Sequence, residues 1–159
     1  MYINFDQYVK LYGTVENFEL LQFEASRYLD KYTTGVDGVK KLRIAFPTDE
    51  DSAAAVRFCA AKIVNILSQI QIAESAAISA KGYEKTDAGI KGKVISSVSA
   101  GNESVSYTDS GSQQTAIDAA VMDVTAKNQL IWKTVKEYLS GITDANGVNL
   151  LYAGGYPRV

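Results

Sequence analysis

The chain contains no histidine. The side chain most used for acid–base work near neutral pH, which is also the commonest metal ligand, is therefore missing. Ser–His and Cys–His nucleophile pairs are excluded, and so are histidine-based zinc sites. With one cysteine, Cys59, no disulfide can form within the chain, which fits a reducing compartment. No stretch reaches the roughly 18 apolar residues that a membrane span needs. Met1 to Asp6 lack the basic region and apolar run of a signal peptide. Neither sign of charge dominates: 16 Lys and Arg stand against 18 Asp and Glu, a net of −2. Nothing here advertises a surface for nucleic acid or anionic membrane. These absences lead us to expect a soluble cytoplasmic protein that is not an enzyme and uses no cofactor or metal.

What is present is an ordinary globular composition, 47% hydrophobic and 21% charged over 159 residues. That is enough chain for one domain, 1–159, with a real core. Asn4 to Tyr12 reads as a short helix (Phe5, Tyr8, Val9 and Tyr12 share a face) stopped at Gly13. Thr14 is the expected cap of a second helix, with Glu16 in its first turn. Phe18, Leu21, Ala25, Tyr28, Leu29 and Tyr32 form its stripe, and Thr33-Thr34-Gly35 ends it. A weaker helical piece follows over Val36 to Leu42. Pro47 breaks the chain, and Thr48-Asp49-Glu50-Asp51 opens a long helix to about Ser79. Its stripe is Val56, Cys59, Ala60, Ile63, Ile66, Leu67, Ile70, Ala73 and Ala77. A last long helix, capped by Ser112 or Thr115, carries Ile117, Ala120, Val121, Val124, Ile131, Val135, Tyr138 and Leu139. It is interrupted at Lys127-Asn128 and ends at Ser140-Gly141, spanning roughly 40 Å at about 1.5 Å per residue.

The insertion between the long helices, residues 80–114, has a different rhythm. Lys81 to Gly92 mixes charges and glycines without periodicity and reads as a solvated loop. From Lys93 to Tyr107, apolar and small polar residues alternate around Gly101-Asn102, the form of a β-hairpin. Such a turn sets Val98 opposite Val105 and Ser96 opposite Tyr107. An isolated two-stranded hairpin is marginal in water, so this one points to a partner. The tail, residues 142–159, is too rich in apolar and aromatic residues for a disordered end and reads as a segment that docks. The fold class expected is thus mainly α: four to five helices, one inserted hairpin over about 93–107, and an extended C-terminal tail.

Candidate chemistry is sparse. Cys59 lies on an apolar stripe with no base to activate it and reads as a buried structural thiol. Asp49, Glu50 and Asp51, with Asp30 and Asp37 elsewhere, could assemble a carboxylate metal site, but consecutive residues on a helix point in different directions, and acids at a helix start serve the dipole. No EF-hand spacing, Walker loop or dinucleotide fingerprint is present, and Gly82, Gly89 and Gly92 are too widely spaced to cradle a phosphate. Tyr8, Tyr12, Tyr28, Tyr32 and Tyr138 fall on helix stripes; Tyr107, Tyr152 and Tyr156 lie off the helices, where amphipathic aromatics commonly mark interfaces. The interface residues expected are Val94, Val98, Val105, Tyr107, Tyr152 and Tyr156.

One ordered set of segments is specific enough to compare. A helix ends Ala25-Ser-Arg-Tyr-Leu-Asp-Lys-Tyr-Thr33, and a Pro-initiated long helix follows. Then come Val94-Ile-Ser-Ser-Val-Ser and Ser104-Val-Ser-Tyr-Thr108, a last helix with Trp132, and a Leu150-Leu-Tyr-Ala-Gly-Gly-Tyr156 tail. From Phe5 to Tyr156 this order resembles the head–tail connector (head-completion) proteins of long-tailed bacteriophages and prophages. The resemblance implies a non-enzymatic, cofactor-free subunit of the virion neck, assembled in the host cytoplasm. Its implied partners are copies of itself in a ring, likened to a twelve-fold one, the portal protein, and a tail-side stopper or tail-completion protein. DNA would pass through the channel without specific binding, and no membrane is involved. The Lys81–Gly92 loop and the Tyr-rich ends match no family motif residue by residue. The alternative expectation is a cytoplasmic helical binding or regulatory module whose groove takes a peptide or small ligand.

Overall fold

The computed structural model of the protein describes residues 1–79, 83–87, 89–92 and 112–157. It is mainly α, with six helices among the described residues. Two compact units are distinguished: Met1–Ser68 with Ile131–Val159, and Gln69–Leu130.

In the first unit, α1 (Phe5–Tyr12) begins where Asn4 and Gln7 cap each other reciprocally and ends at Gly13, whose N–H donates to Val9 O. These two devices satisfy orphan backbone groups at both ends. Helix α2 (Phe18–Thr33) does not start at Thr14 as expected. Asn17, in left-handed conformation at φ 56°, turns the chain immediately before it, and its first-turn acid is Glu19 rather than Glu16. The short α3 (Lys41–Ile44) replaces the helical piece expected over Val36–Leu42. Asp37-Gly38 makes a turn there instead, with Gly38 at φ 76°. Helix α4 (Glu50–Ser79) runs as expected, but the capping side chain is Asp49, which accepts from Ser52 N at 2.8 Å. The last helix of this unit, α6 (Val124–Leu139), contributes its C-terminal half.

The core of this unit draws Leu21, Ala25 and Leu29 from α2, Val56, Cys59, Ala60, Ile63 and Val64 from α4, and Ile131, Val135 and Leu139 from α6. Ile3, Tyr8 from α1, Leu42 from α3 and Leu150 from the tail join it. Each fully buried Leu or Ile contributes about 1.5–3 kcal/mol of transfer free energy. Gln22, itself buried, donates from Nε2 to Ile3 O and ties the N-terminal segment to α2. By length and mean hydropathy (1.3), Glu50–Ile78 would suit a membrane span despite its interspersed polar residues. It is, however, the core helix of this unit, and 61% of the qualifying window is buried inside the protein.

In the second unit, the single helix expected over Thr115–Ser140 is divided. Helix α5 (Ser112–Met122) stops at Asp123, which accepts from Thr125 N at 2.8 Å and so caps α6. The exposed side chains are Met122 and Val124 beside that break, rather than Lys127-Asn128, and Val124 is not on a buried stripe. Ile117, Ala120 and Val121 are buried as the periodicity predicts. The segment read as a loop, Lys81–Gly92, contains two antiparallel strands, β1 (Tyr83–Thr86) and β2 (Gly89–Gly92), with Glu84 opposite Lys91. It carries no apolar alternation, so the period-two signal that finds half-buried strands is absent. The hairpin expected over 93–107 lies outside the described residues.

Candidate functional site

The most organised polar arrangement of the first unit is where the C-terminal segment folds back on its own chain. Two loops of like construction prepare it. Thr34 pairs with Lys40 across the Asp37-Gly38 turn, and Thr143 pairs with Asn149 across the turn Asp144-Ala-Asn-Gly147. In each, the aspartate side chain holds the backbone. Asp37 Oδ1 accepts from Val39 N at 3.1 Å, and Asp144 Oδ1 accepts from Asn146 N and Val148 N, both at 2.9 Å. Aspartate favours such turns because its short side chain satisfies N–H groups that no ladder reaches.

The tail lies on the first loop. Val36 N donates to Ala153 O at 3.0 Å, and Tyr156 N donates to Asp37 Oδ2 at 2.7 Å. Gly35 is needed for this approach: a Cβ there would stand 2.6 Å from Gly154 O. The Tyr156 hydroxyl donates to Asp144 Oδ2 at 2.6 Å and accepts from Asn146 Nδ2 at 2.9 Å. Lys41, with no exposed surface, donates from Nζ to Leu150 O at 3.3 Å and also to Tyr152 O. Burial lowers its pKa, against the opposing pull of the Asp144 and Asp37 carboxylates. Backbone N–H donors, Tyr156 first and then Val39, hold the Asp37 carboxyl below its ordinary value. Tyr156 is raised, chiefly by burial and then by its bond to Asp144.

A second polar knot lies where the N-terminal segment meets α2 and α3. Tyr2 donates to Asp30 Oδ1 at 2.5 Å and stacks on Phe46. Arg43 donates from Nε to Asp30 Oδ2 at 2.6 Å, and its Nη2 stands 2.6 Å from the same oxygen. Burial, followed by the Asp30 bond, raises the Tyr2 pKa strongly. Neither cluster has the layout of a nucleophile and its base. Cys59 is buried, and burial pushes its thiol up to about 12, so it is inert as a nucleophile near neutral pH. Among the described residues, no three Asp, Glu or Cys side chains converge as metal ligands.

Of the interface residues expected from sequence, Val94, Val98, Val105 and Tyr107 lie outside the described residues. Tyr152 is 55% exposed, with its ring 6.0 Å from Lys41 Nζ. Tyr156 is engaged by Asp144 and Asn146 of its own chain. The docking tail therefore finds a seat within the chain itself. Of the residues that make this seat, the sequence offers Asp37 only as a carboxylate for a metal site and does not single out Lys41 or Asp144. The Asp-Gly and Asp-x-x-Gly turn signatures mark two of them; nothing in the sequence marks Lys41.

Apolar side chains also remain uncovered on the helices of this unit. Leu20 and Phe23 project from α2, Leu11 from α1 and Phe58 from α4, each between 45% and 54% exposed. Leu11 and Phe58, with Ile3 and Ala54, line an open groove of about 260 Å³ between α1 and α4. No protein-family model, curated protein or solved structure matches this chain.

Proposed function

We propose that this chain is a structural assembly subunit that acts by shape and surface rather than by reaction. In this reading it forms a ring with copies of itself, joins a capsid portal to a tail-side stopper or tail-completion protein, and extends a channel through which DNA slides. The observation that carries the proposal is the set of large apolar side chains left uncovered on three helices of one unit: Leu11, Leu20, Phe23 and Phe58. Scattered single exposures need no explanation, but several on the helices of one unit leave apolar surface that a partner could cover. The resemblance of the segment order to head–tail connectors supports the same class. A mildly acidic subunit suits a channel that must not hold phosphates. A head-to-tail contact closes into a ring when its rotation permits. The hairpin expected over 93–107 would supply one arm through Val94, Val98, Val105 and Tyr107, by edge pairing with a neighbour or the portal.

Sedimentation velocity across a wide range of protein concentration tests self-assembly. A single large species growing in with concentration is expected, and a monomer at every concentration would count against the ring. The groove beside Leu11 and Phe58 favours a second reading, a helical module that takes a peptide or small ligand. Capture of a defined non-virion ligand by a chain that never assembles would favour that reading.

A further inference from the structure

A pocket distinct from the tail seat opens where α2 meets the start of α3; Met1, Tyr2, Phe23, Arg27, Leu42 and Arg43 are among its lining. Its floor and walls are mixed in a specific way. Met1 and Phe23 are exposed apolar side chains, 75% and 49% accessible, while Leu42 beneath is buried. Two guanidinium groups share the pocket. Arg27, exposed on α2, sits 6.0 Å from the Phe23 ring centroid, a position that leaves the edge of the guanidinium for hydrogen bonding. Arg43 is held by Asp30 through Nε and Nη2, yet its side chain is 56% exposed. A guanidinium has five donors, so a carboxylate can add to those that Asp30 does not use.

We propose that this pocket docks an acidic peptide segment of a partner protein, its carboxylates on Arg27 and Arg43 and an apolar side chain between Met1 and Phe23. Charge complementarity selects this occupant. The lining itself holds two arginines and no carboxylate, although Asp30 behind Arg43 and Glu24 a turn before Arg27 offset part of that charge, on a chain whose overall charge is −2. The rim that accompanies them is apolar, which suits a peptide. A nucleic acid would need a longer run of phosphate contacts, and on α2 Glu19 and Glu24 interrupt any such run. Arginine beside an aromatic in a partly apolar pocket is the composition of an interface hot spot. The site stands on these residues alone and does not depend on ring formation.

The test uses the full chain and a capped, fluorescently labelled heptapeptide, Glu-Glu-Leu-Glu-Phe-Glu-Glu. Anisotropy would measure its affinity, and NMR shifts of the Arg27 and Arg43 side-chain N–H signals would report its place. Saturable binding that Arg27→Glu weakens at least tenfold, that Phe23→Ala also weakens, and that Lys10→Glu on another face leaves alone is the expected result. A peptide with lysine in place of glutamate should not bind. Absence of saturable binding, binding unchanged by Arg27→Glu, or preference for an oligothymidylate over the acidic peptide would each overturn the proposal. Arg27 is exposed, so circular dichroism of Arg27→Glu should match the parent and separate loss of binding from loss of fold.

Discussion

The ammonium group of Lys41 reaches the carbonyl oxygen of Leu150 at 3.3 Å, across 109 positions of sequence, inside a site with no exposure of the lysine. One buried cation thus gathers the start of α3 and the C-terminal segment into a single polar seat. Replacing it by methionine keeps the length of the side chain but leaves the Leu150 and Tyr152 carbonyls without that donor. A buried group deprived of its partner costs about 1–3 kcal/mol. Lys41→Met should lose stability of that order in urea unfolding. Hydrogen exchange should rise selectively over 150–157 while the centre of α4 stays protected. Unchanged exchange in the tail would show that Lys41 does not hold it.

Gly35 gives an independent handle on the same contact. Its Cβ would stand 2.6 Å from Gly154 O, and the obstacle is backbone rather than a flexible side chain. Gly35→Ala should cost about 1–3 kcal/mol, the usual range for overpacking, and should raise exchange in the tail as Lys41→Met does. The two effects should combine non-additively, because both act on one docked segment; a double-mutant cycle in urea measures this directly.

Acid should loosen the tail through Asp37. Its carboxyl is held below the ordinary value of 3.8 by N–H donors from Tyr156 and Val39. A group whose folded pKa is lowered contributes stability above its unfolded pKa, and that contribution disappears as pH falls through the folded value. The stability difference between the parent and Asp37→Asn should therefore be constant from neutral pH down to about 5. Below 3.8 it should shrink. A difference that grows on acidification would contradict the assigned hydrogen bonds. Thermal melts of both proteins across this range supply the comparison.

Leu29 is fully buried in the core against α4 and α6. Leu29→Ala should cost about 2–5 kcal/mol through lost burial and the cavity left behind. Leu20→Ala, on the exposed face of the same helix, should stay within about 0.5 kcal/mol in the isolated subunit. Chemical denaturation of the two variants distinguishes a core position from one that a partner would have to cover.

Much of the fold was legible because it rests on local signals. The stop of α1 at Gly13, the acidic start of α4 at Asp49 and the stripe from Val56 to Ile70 are all written within a few turns of chain. The division at Asp123 was missed because the apolar spacing continues across it, and only the capping bond to Thr125 reveals it. The β1–β2 pair was missed because its strands lack apolar alternation. The tail seat was legible only in part: its composition said that it docks, whereas Lys41 and Asp37 are polar residues whose role appears only when distant segments meet. Periodicity reports which face of a helix is buried, and says nothing of a lysine whose acceptors lie 109 residues away.

The central claim, that the chain works by assembling, is tested most directly by negative-stain microscopy of the purified protein mixed with a phage portal protein. The account predicts closed rings seated on the portal. It further predicts that joint replacement of Val98 and Val105 by Asp abolishes those rings while helical content by circular dichroism is retained. Dispersed monomers with no portal bound would contradict it, and loss of helical signal in the double variant would place those valines in the core instead.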